Sequence, residues 1–133
     1  MNQHTVLLVD DEKVIREGCQ RAFAAAGFRV VTAVNGREAL EALDSEPIDV
    51  ILCDLKMPVM GAMGVLEQVM ERHAEVPVII ITGQGTIANA VECMREGAYD
   101  FVTKPFRVHD LIVVVKRAID KLPPLQRYQK TTS

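Results

Sequence analysis

Val50-Ile51-Leu52-Cys53 is an apolar run that ends abruptly on a carboxylate, Asp54, with Leu55-Lys56-Met57-Pro58 directly behind it. No polar residue marks a wet side, so the run reads as a strand buried on both faces. Pro58 has no N–H to give to a ladder, which ends the strand near Asp54. Val6 to Val9 repeats the pattern and ends on Asp10-Asp11-Glu12. Val78 to Ile81 runs into Thr82-Gly83, and Tyr99 to Val102 runs into Thr103-Lys104-Pro105. A shorter strand is expected at Phe28 to Ala33, where Val30, Val31 and Ala33 are apolar.

Between these runs the apolar period changes from strand to helix. The first helix is marked by Val14, Ile15, Cys19, Ala22, Phe23 and Ala26, with Asp10 or Asp11 as its cap and Gly27 closing it. Asn35-Gly36 opens a short second helix carrying Ala39, Leu40 and Leu43, which ends near Pro47. Met63, Leu66, Val69 and Met70 stripe a third, running to about His73. Ile87, Ala90, Val91 and Met94 stripe a fourth, stopped by Gly97. Leu111, Val114, Val115, Ala118, Ile119 and Leu122 stripe a fifth, ended by Pro123-Pro124. Five strand–helix units in alternation predict an α/β fold: a doubly wound parallel sheet with helices on both faces and right-handed crossovers. At 133 residues the chain has the length of one domain. Residues 1–122 form that domain, and 123–133 read as a polar tail or the start of a linker.

In a parallel sheet all strand ends lie on one rim, and ligands bind outside the carboxyl ends of the strands. That rim would receive Asp10, Asp11, Asp54, Thr82 and Lys104 from four separate segments. Taken singly, each has an ordinary explanation. A strand-end acid is usually a cap or turn residue, a strand-end threonine reflects β-propensity, and a lysine is usually a solvated charge. Their coincidence on one rim outweighs these. Three adjacent carboxylates repel one another unless a cation sits among them, and oxygen donors without His or Cys suit Mg²⁺. A hydroxyl and an ammonium opposite would satisfy a phosphoryl group. The chemistry inferred is phosphoryl transfer to Asp54 as nucleophile.

Composition narrows the alternatives. A net charge of −3 and a sequence pI near 5.6 argue against a general nucleic-acid surface. Aromatic residues at 5% and the absence of Trp leave no base-stacking platform. No apolar run approaches the length of a membrane span, and the first residues carry no signal-peptide pattern. Cys19, Cys53 and Cys93 sit in apolar stretches and read as buried free thiols of a cytoplasmic protein.

Four segments together carry a family resemblance. Leu7-Leu8-Val9-Asp10-Asp11, Asp54-Leu55-Lys56-Met57-Pro58, Ile80-Ile81-Thr82-Gly83 and Gly97-Ala98-Tyr99-Asp100-Phe101-Val102-Thr103-Lys104-Pro105-Phe106 resemble the receiver domain of bacterial two-component response regulators. The likeness spans about Thr5 to Leu122. It implies the flavodoxin-like strand order 2-1-3-4-5 and a phosphorelay switch in which Asp54 takes a phosphoryl group from a sensor histidine kinase or phosphotransfer protein. It also implies Mg²⁺, with Mn²⁺ as a substitute, held by Asp11, Asp54 and the backbone carbonyl of Lys56, with Asp10 acting through water. Thr82 and Lys104 would bind phosphoryl oxygens, and Lys104-Pro105 would be a cis peptide. Phe101 would turn inward as Thr82 moves, and Lys56 and Gln84 would tune hydrolysis of the acyl phosphate. The readout would be the surface of the fourth helix, fifth strand and fifth helix. That surface would meet an output domain or protein, or a second copy in a phosphorylation-dependent dimer. Ile112 and Val113 either widen the buried face of the last helix or expose a partner patch.

The segment Thr86 to Phe106 most resembles receivers attached to ATPases that activate an alternative sigma factor, although no Gly-rich nucleotide loop or helix-turn-helix is present. The resemblance thus implies a stand-alone receiver or one cut after its linker. Where the family has an acid and then Gly after the Pro-x-Met, this chain has Gly61 and Ala62, and its switch aromatic is Phe101 where Tyr is frequent. Three competing readings are weaker. A pseudo-receiver would not need all five rim residues. An aspartyl-phosphate phosphatase would want an acid where Lys56 stands. A flavin protein would want a phosphate-cradling loop where Asp10-Asp11-Glu12 would repel it.

Overall fold

The computed structural model describes residues 3–57 and 60–120. The elements run β1 (Thr5–Val9), α1 (Lys13–Ala25), β2 (Arg29–Ala33), α2 (Gly36–Ser45), β3 (Val50–Asp54), α3 (Ala62–Arg72), β4 (Val78–Thr82), a short 3₁₀ turn (Gln84–Thr86), α4 (Ile87–Arg95), β5 (Asp100–Thr103) and α5 (Val108–Asp120). All strands are parallel, in the order β2-β1-β3-β4-β5. The flavodoxin-like topology expected from the sequence is the one observed. Leu122, Pro123-Pro124, Pro58 and the tail lie outside the described residues.

The apolar runs behave as their lack of a wet side requires. Every residue of β1, β3 and β4 is buried. Alternate side chains enter two separate cores. Leu7, Val9, Ile51, Cys53, Val78 and Ile80 pack under α2, α3 and α4. Val6, Leu8, Val50, Leu52, Ile79 and Ile81 pack under α1 and α5. This is the doubly wound arrangement, with a helical layer on each face.

Helix ends follow local chemistry with one correction. Asn35 caps α2 by accepting from the Glu38 N–H at 2.9 Å, and Glu38 reaches back to the Val34 N–H at 3.0 Å, a close relative of the capping box. Gly27 and Gly97, each just past a helix, have φ of 95° and 117°, the left-handed region that favours glycine. At α1 the capping position falls to Glu12, with no side-chain cap bond, and neither Asp10 nor Asp11 fills it. Asp10 instead folds its carboxylate onto the Glu12 N–H at 2.8 Å, a turn two residues long.

Two helical stripes differ from the sequence pattern: that of α4 is narrower, and that of α3 is shifted around the helix. In α4 the buried residues are Ala90 and Cys93, whereas Ile87 and Val91 are exposed. In α3 Val65 joins Leu66 and Val69 in the core and Met70 lies outside it. A helix laid on a sheet buries little more than one side; in α4 the small residues face the strands and the neighbouring apolar ones do not. In α5 Ile112 packs against the second core and Val113 is exposed, which divides the two residues between the expected alternatives. The Gly61-Ala62 departure is absorbed locally: Gly61 has extended φ, and Ala62 is the buried first residue of α3.

Leu52 lies at the middle of the central strand with no exposure, and Val14 is 81% exposed on α1. Leu52→Ala should therefore cost about 2–5 kcal/mol in urea unfolding, and Val14→Ala less than about 0.5 kcal/mol.

Candidate functional site

The strand register assembles the site before any side chain is considered. Val9 pairs with Cys53, so Asp10 and Asp54 are level at the ends of adjacent strands. Asp54 pairs with Ile81, which puts Thr82 one residue further along. Thr82 pairs with Thr103, the last residue of β5, so Lys104 follows directly after the strand. Backbone bonds carry the ladder past the strand ends: Asp10 N–H to Ala33 O at 3.1 Å, Leu55 N–H to Ile81 O at 2.8 Å, and Lys104 N–H to Thr82 O at 2.7 Å. The Arg16 guanidinium donates to Asp10 O at 2.8 Å and ties α1 to the same turn.

A cleft of about 440 Å³ opens on this rim, lined by Asp11, Glu12, Asp54, Lys56, Thr86 and Lys104, together with Leu55, Gly83 and Gly85. Asp10, Asp11, Glu12 and Asp54 each offer a carboxylate oxygen, and these oxygens all lie within 4.8 Å of one another. Asp10 and Asp54 are buried, Asp11 and Glu12 exposed. Lys104 Nζ stands 3.6 Å from Asp54 Oδ1 and 3.3 Å from Glu12 Oε1. The Lys104-Pro105 peptide is cis.

Electrostatics record the crowding. Burial, then the charge of Asp10, pushes the Asp54 carboxyl up to about 6 against Lys104, which pulls it down. Burial likewise raises Asp10 above the usual carboxylate range. Burial depresses the Lys104 ammonium, but Asp54, Asp10 and Glu12 outweigh it and hold the group above its ordinary value. Asp10 Oδ2 is buried without a hydrogen-bond partner among the described residues. An orphaned carboxylate oxygen inside a cluster of carboxylates, with oxygen donors alone, fits a small hard cation. The three thiols are buried and free, and burial raises each of them, so none supplies a thiolate ligand or nucleophile.

Sheet alternation separates the remaining residues by face. Thr82 continues the line of Val78 and Ile80 toward the α4 side, and Phe101, half-buried in β5, packs into the same core. Thr82 is fully buried, and its hydroxyl lies 2.6 Å from that of Thr86. Lys56 lines the cleft; Gln84 is exposed in the 3₁₀ turn and is not among the lining residues. The structure thus gathers Asp10, Asp11, Asp54, Lys56, Thr82 and Lys104 at one rim, leaves Phe101 beneath it, and leaves Gln84 at its edge. Sequence reasoning missed Glu12 and Thr86. Glu12 was legible as a third consecutive acid, and Thr86 as a hydroxyl four residues after Thr82.

A five-stranded parallel sheet with an acidic cleft at its carboxyl rim defines a flavodoxin-like fold of the receiver type. Residues 6–116 match the family described as "Response regulator receiver domain". The chain belongs to this family, and it is a response-regulator receiver domain, a signalling module. It is 41% identical over 119 residues to the DNA-binding transcriptional regulator NtrC of Escherichia coli K12, covering 90% of this chain and 25% of that protein. It is 38% identical over 122 residues to a putative NtrX-like response regulator of Rickettsia felis, covering 90% of this chain and 26% of that protein. A solved receiver-domain protein from Clostridium thermocellum superposes with a TM-score of 0.85 at 32% identity, covering 89% of this chain and 95% of that one. The chain therefore spans about a quarter of the curated relatives it matches. Among the described residues no helix is long and apolar enough to cross a membrane.

The raised carboxyl of Asp54 sets a pH dependence. Unfolded, the group titrates near 3.8; folded, at about 6. The folded protein binds more protons between those values, so this group's contribution to stability is full below the lower one and is lost as pH rises through the higher. In metal-free buffer Asp54→Asn should gain on wild type as pH rises from about 4 to about 7, by up to roughly 3 kcal/mol. Chemical unfolding at several pH values measures that difference.

Proposed function

We propose that this receiver works as a phosphorylation switch, with Asp54 as the phosphoacceptor, in a reaction that requires Mg²⁺. The observation that carries the reading is the convergence of three carboxylates and one ammonium: Asp10, Asp11 and Asp54 with Lys104 3.6 Å from Asp54. Asp54 ends β3 between the other acids and Lys104 and lines the cleft on the rim. Asp11 and Asp54 would hold the metal, with the carbonyl of Lys56 as a further ligand and Asp10 acting through water. Bound there, Mg²⁺ neutralises charge on the carboxylate and on the incoming phosphoryl group; Mn²⁺ supplies the same chemistry.

The chain's own groups do the rest. Asp54 attacks the phosphorus through a carboxylate oxygen, and the bond from phosphorus to the donor, a phosphohistidine of a sensor kinase or phosphotransfer protein, breaks. Lys104 donates to a phosphoryl oxygen once the new group replaces the Asp54 carboxylate as its nearest anion. Thr82 donates to another, which draws it off the α4 side of the sheet. Phe101 then fills the space beneath it. Lys56 and Gln84 flank the phosphoryl group and set how fast water removes it. In this sense the domain catalyses its own phosphorylation and dephosphorylation and acts on no other substrate. The switched surface is that of α4, β5 and α5, where Ile87, Val91 and Val113 are exposed. The likeness to NtrC and NtrX-like regulators supports an output domain or protein of the sigma-factor-activating class as its target, or a phosphorylation-dependent dimer. Nucleic-acid contact then falls to the output partner, and the acidic net charge supports a module that binds no nucleic acid directly; its place in a phosphorelay would be cytoplasmic.

Incubation with acetyl phosphate and Mg²⁺, read by intact mass, tests the proposal. Wild type should gain one phosphoryl mass; Asp54→Asn, and wild type in EDTA, should gain none. Lys104→Ala should slow the gain by about 100-fold, the scale of one transition-state donor. No gain by folded wild type would overturn the reading and favour an interaction module that takes no phosphate.

A further inference from the structure

The hydroxyl of Thr82 is already engaged. Three oxygens form a triangle at the start of the 3₁₀ turn: Thr82 Oγ1, Thr86 Oγ1 and the backbone carbonyl of Gly83. Thr82 Oγ1 lies 2.6 Å from Thr86 Oγ1 and 3.1 Å from Gly83 O, and Thr86 Oγ1 lies 3.0 Å from Gly83 O. Two hydroxyls carry two hydrogens between them, and the carbonyl carries none. At 2.6 Å a hydrogen must lie between the hydroxyls. Either Thr82 donates to Thr86 and Thr86 to Gly83 O, or Thr86 donates to Thr82 and Thr82 to Gly83 O. In both arrangements the single hydrogen of Thr82 is used.

A second observation concerns Thr86 itself. It occupies the residue before the first turn of α4, where a threonine ordinarily turns its oxygen onto the helix's free N–H groups. Here it makes no cap bond. Its hydroxyl is directed back to Thr82 and Gly83, and it lines the cleft.

We propose that Thr86 is a positioning residue that latches Thr82 in its resting place, so that phosphoryl binding at Asp54 must open the Thr82–Thr86–Gly83 triangle before Thr82 can donate to the phosphoryl oxygen. A phosphoryl oxygen is an acceptor and needs the one hydrogen that the triangle holds. Thr86 therefore sets how strongly the resting state is favoured over the phosphoryl-bound one, without touching the phosphoryl group. The inference deepens the proposed phosphoacceptor function and rests on it.

Calorimetric titration of the full chain with beryllofluoride, a phosphoryl mimic, in saturating Mg²⁺ tests it. Thr86→Val keeps the shape and loses the hydroxyl, and should bind beryllofluoride about fivefold more tightly, the weight of one net hydrogen bond. Thr86→Ser, which restores the hydroxyl, should bind as wild type does. In a Thr82→Ala background, Thr86→Val should change nothing, because no Thr82 hydroxyl remains to be held. Unchanged affinity in Thr86→Val, or an equal gain in the Thr82→Ala background, would overturn the latch and leave the phosphoacceptor reading intact. A wild type that binds no beryllofluoride would overturn both.

Discussion

Mutual repulsion among carboxylates at one end of a parallel sheet is the constraint on which this structure turns. The register makes it unavoidable: Val9 opposite Cys53 puts Asp10 and Asp54 side by side, and the next two residues of the first loop are also acidic. Burial then strengthens every interaction among them. The cost falls on the folded protein, and it is relieved by anything that brings positive charge to the cluster. Lys104 relieves part of it from β5, at 3.6 Å from Asp54 and 3.3 Å from Glu12. The oxygen of Asp10 that has no partner among the described residues marks where relief is incomplete. A site of this kind is strained toward a cation, and the strain is what makes an exchange of charge at Asp54 consequential.

Around that cluster, each group suited to a phosphoryl oxygen is held by a weaker partner. Lys104 is shared between Asp54 and Glu12, the latter exposed and therefore easily displaced. Thr82 is held in a triangle with Thr86 and the Gly83 carbonyl. A phosphoryl group carries roughly one and a half to two negative charges, so on the proposed function it would outcompete both partners at close range. Thr82 and Phe101 belong to the α4 face of the sheet, whereas the alternation sets Asp54 on the opposite parity. On the proposed function, moving Thr82 toward Asp54 would draw on packing beneath α4 and would tie the chemistry of the rim to the exposed side of that helix. Glu12 and Thr86, which both line the cleft, are thus part of how the resting state is defined.

The sheet was legible in the sequence because its strands are apolar on both faces, a pattern that few other settings allow. Rim residues were legible for the same reason: once the strands are parallel, whatever ends them must converge. Glu12 escaped notice because a third acid adds nothing to an argument already made by two. Thr86 escaped because a threonine before a helix is expected to cap that helix, and here the hydroxyl faces away from it. The sequence points to Asp10 or Asp11 as the cap of α1; neither fills that position, and Asp10 closes its own two-residue turn. The apolar stripe of α4 misled on depth. Ile87 and Val91 match the helical period, but contact with the sheet is made through Ala90 and Cys93, whose small side chains let the helix approach. Periodicity reports which residues share a side; it does not report which of two adjacent sides meets the strands.

The central claim is that the carboxylates of the rim form one cation site whose occupation relieves their repulsion. Calorimetric titration of the protein with Mg²⁺ alone tests this most directly, on wild type and on Asp11→Asn. Wild type should bind one Mg²⁺ per chain with a matching rise in thermal midpoint, and Asp11→Asn should lose both. Absence of Mg²⁺ binding by the folded wild type, or binding that survives unchanged in Asp11→Asn, would contradict the claim.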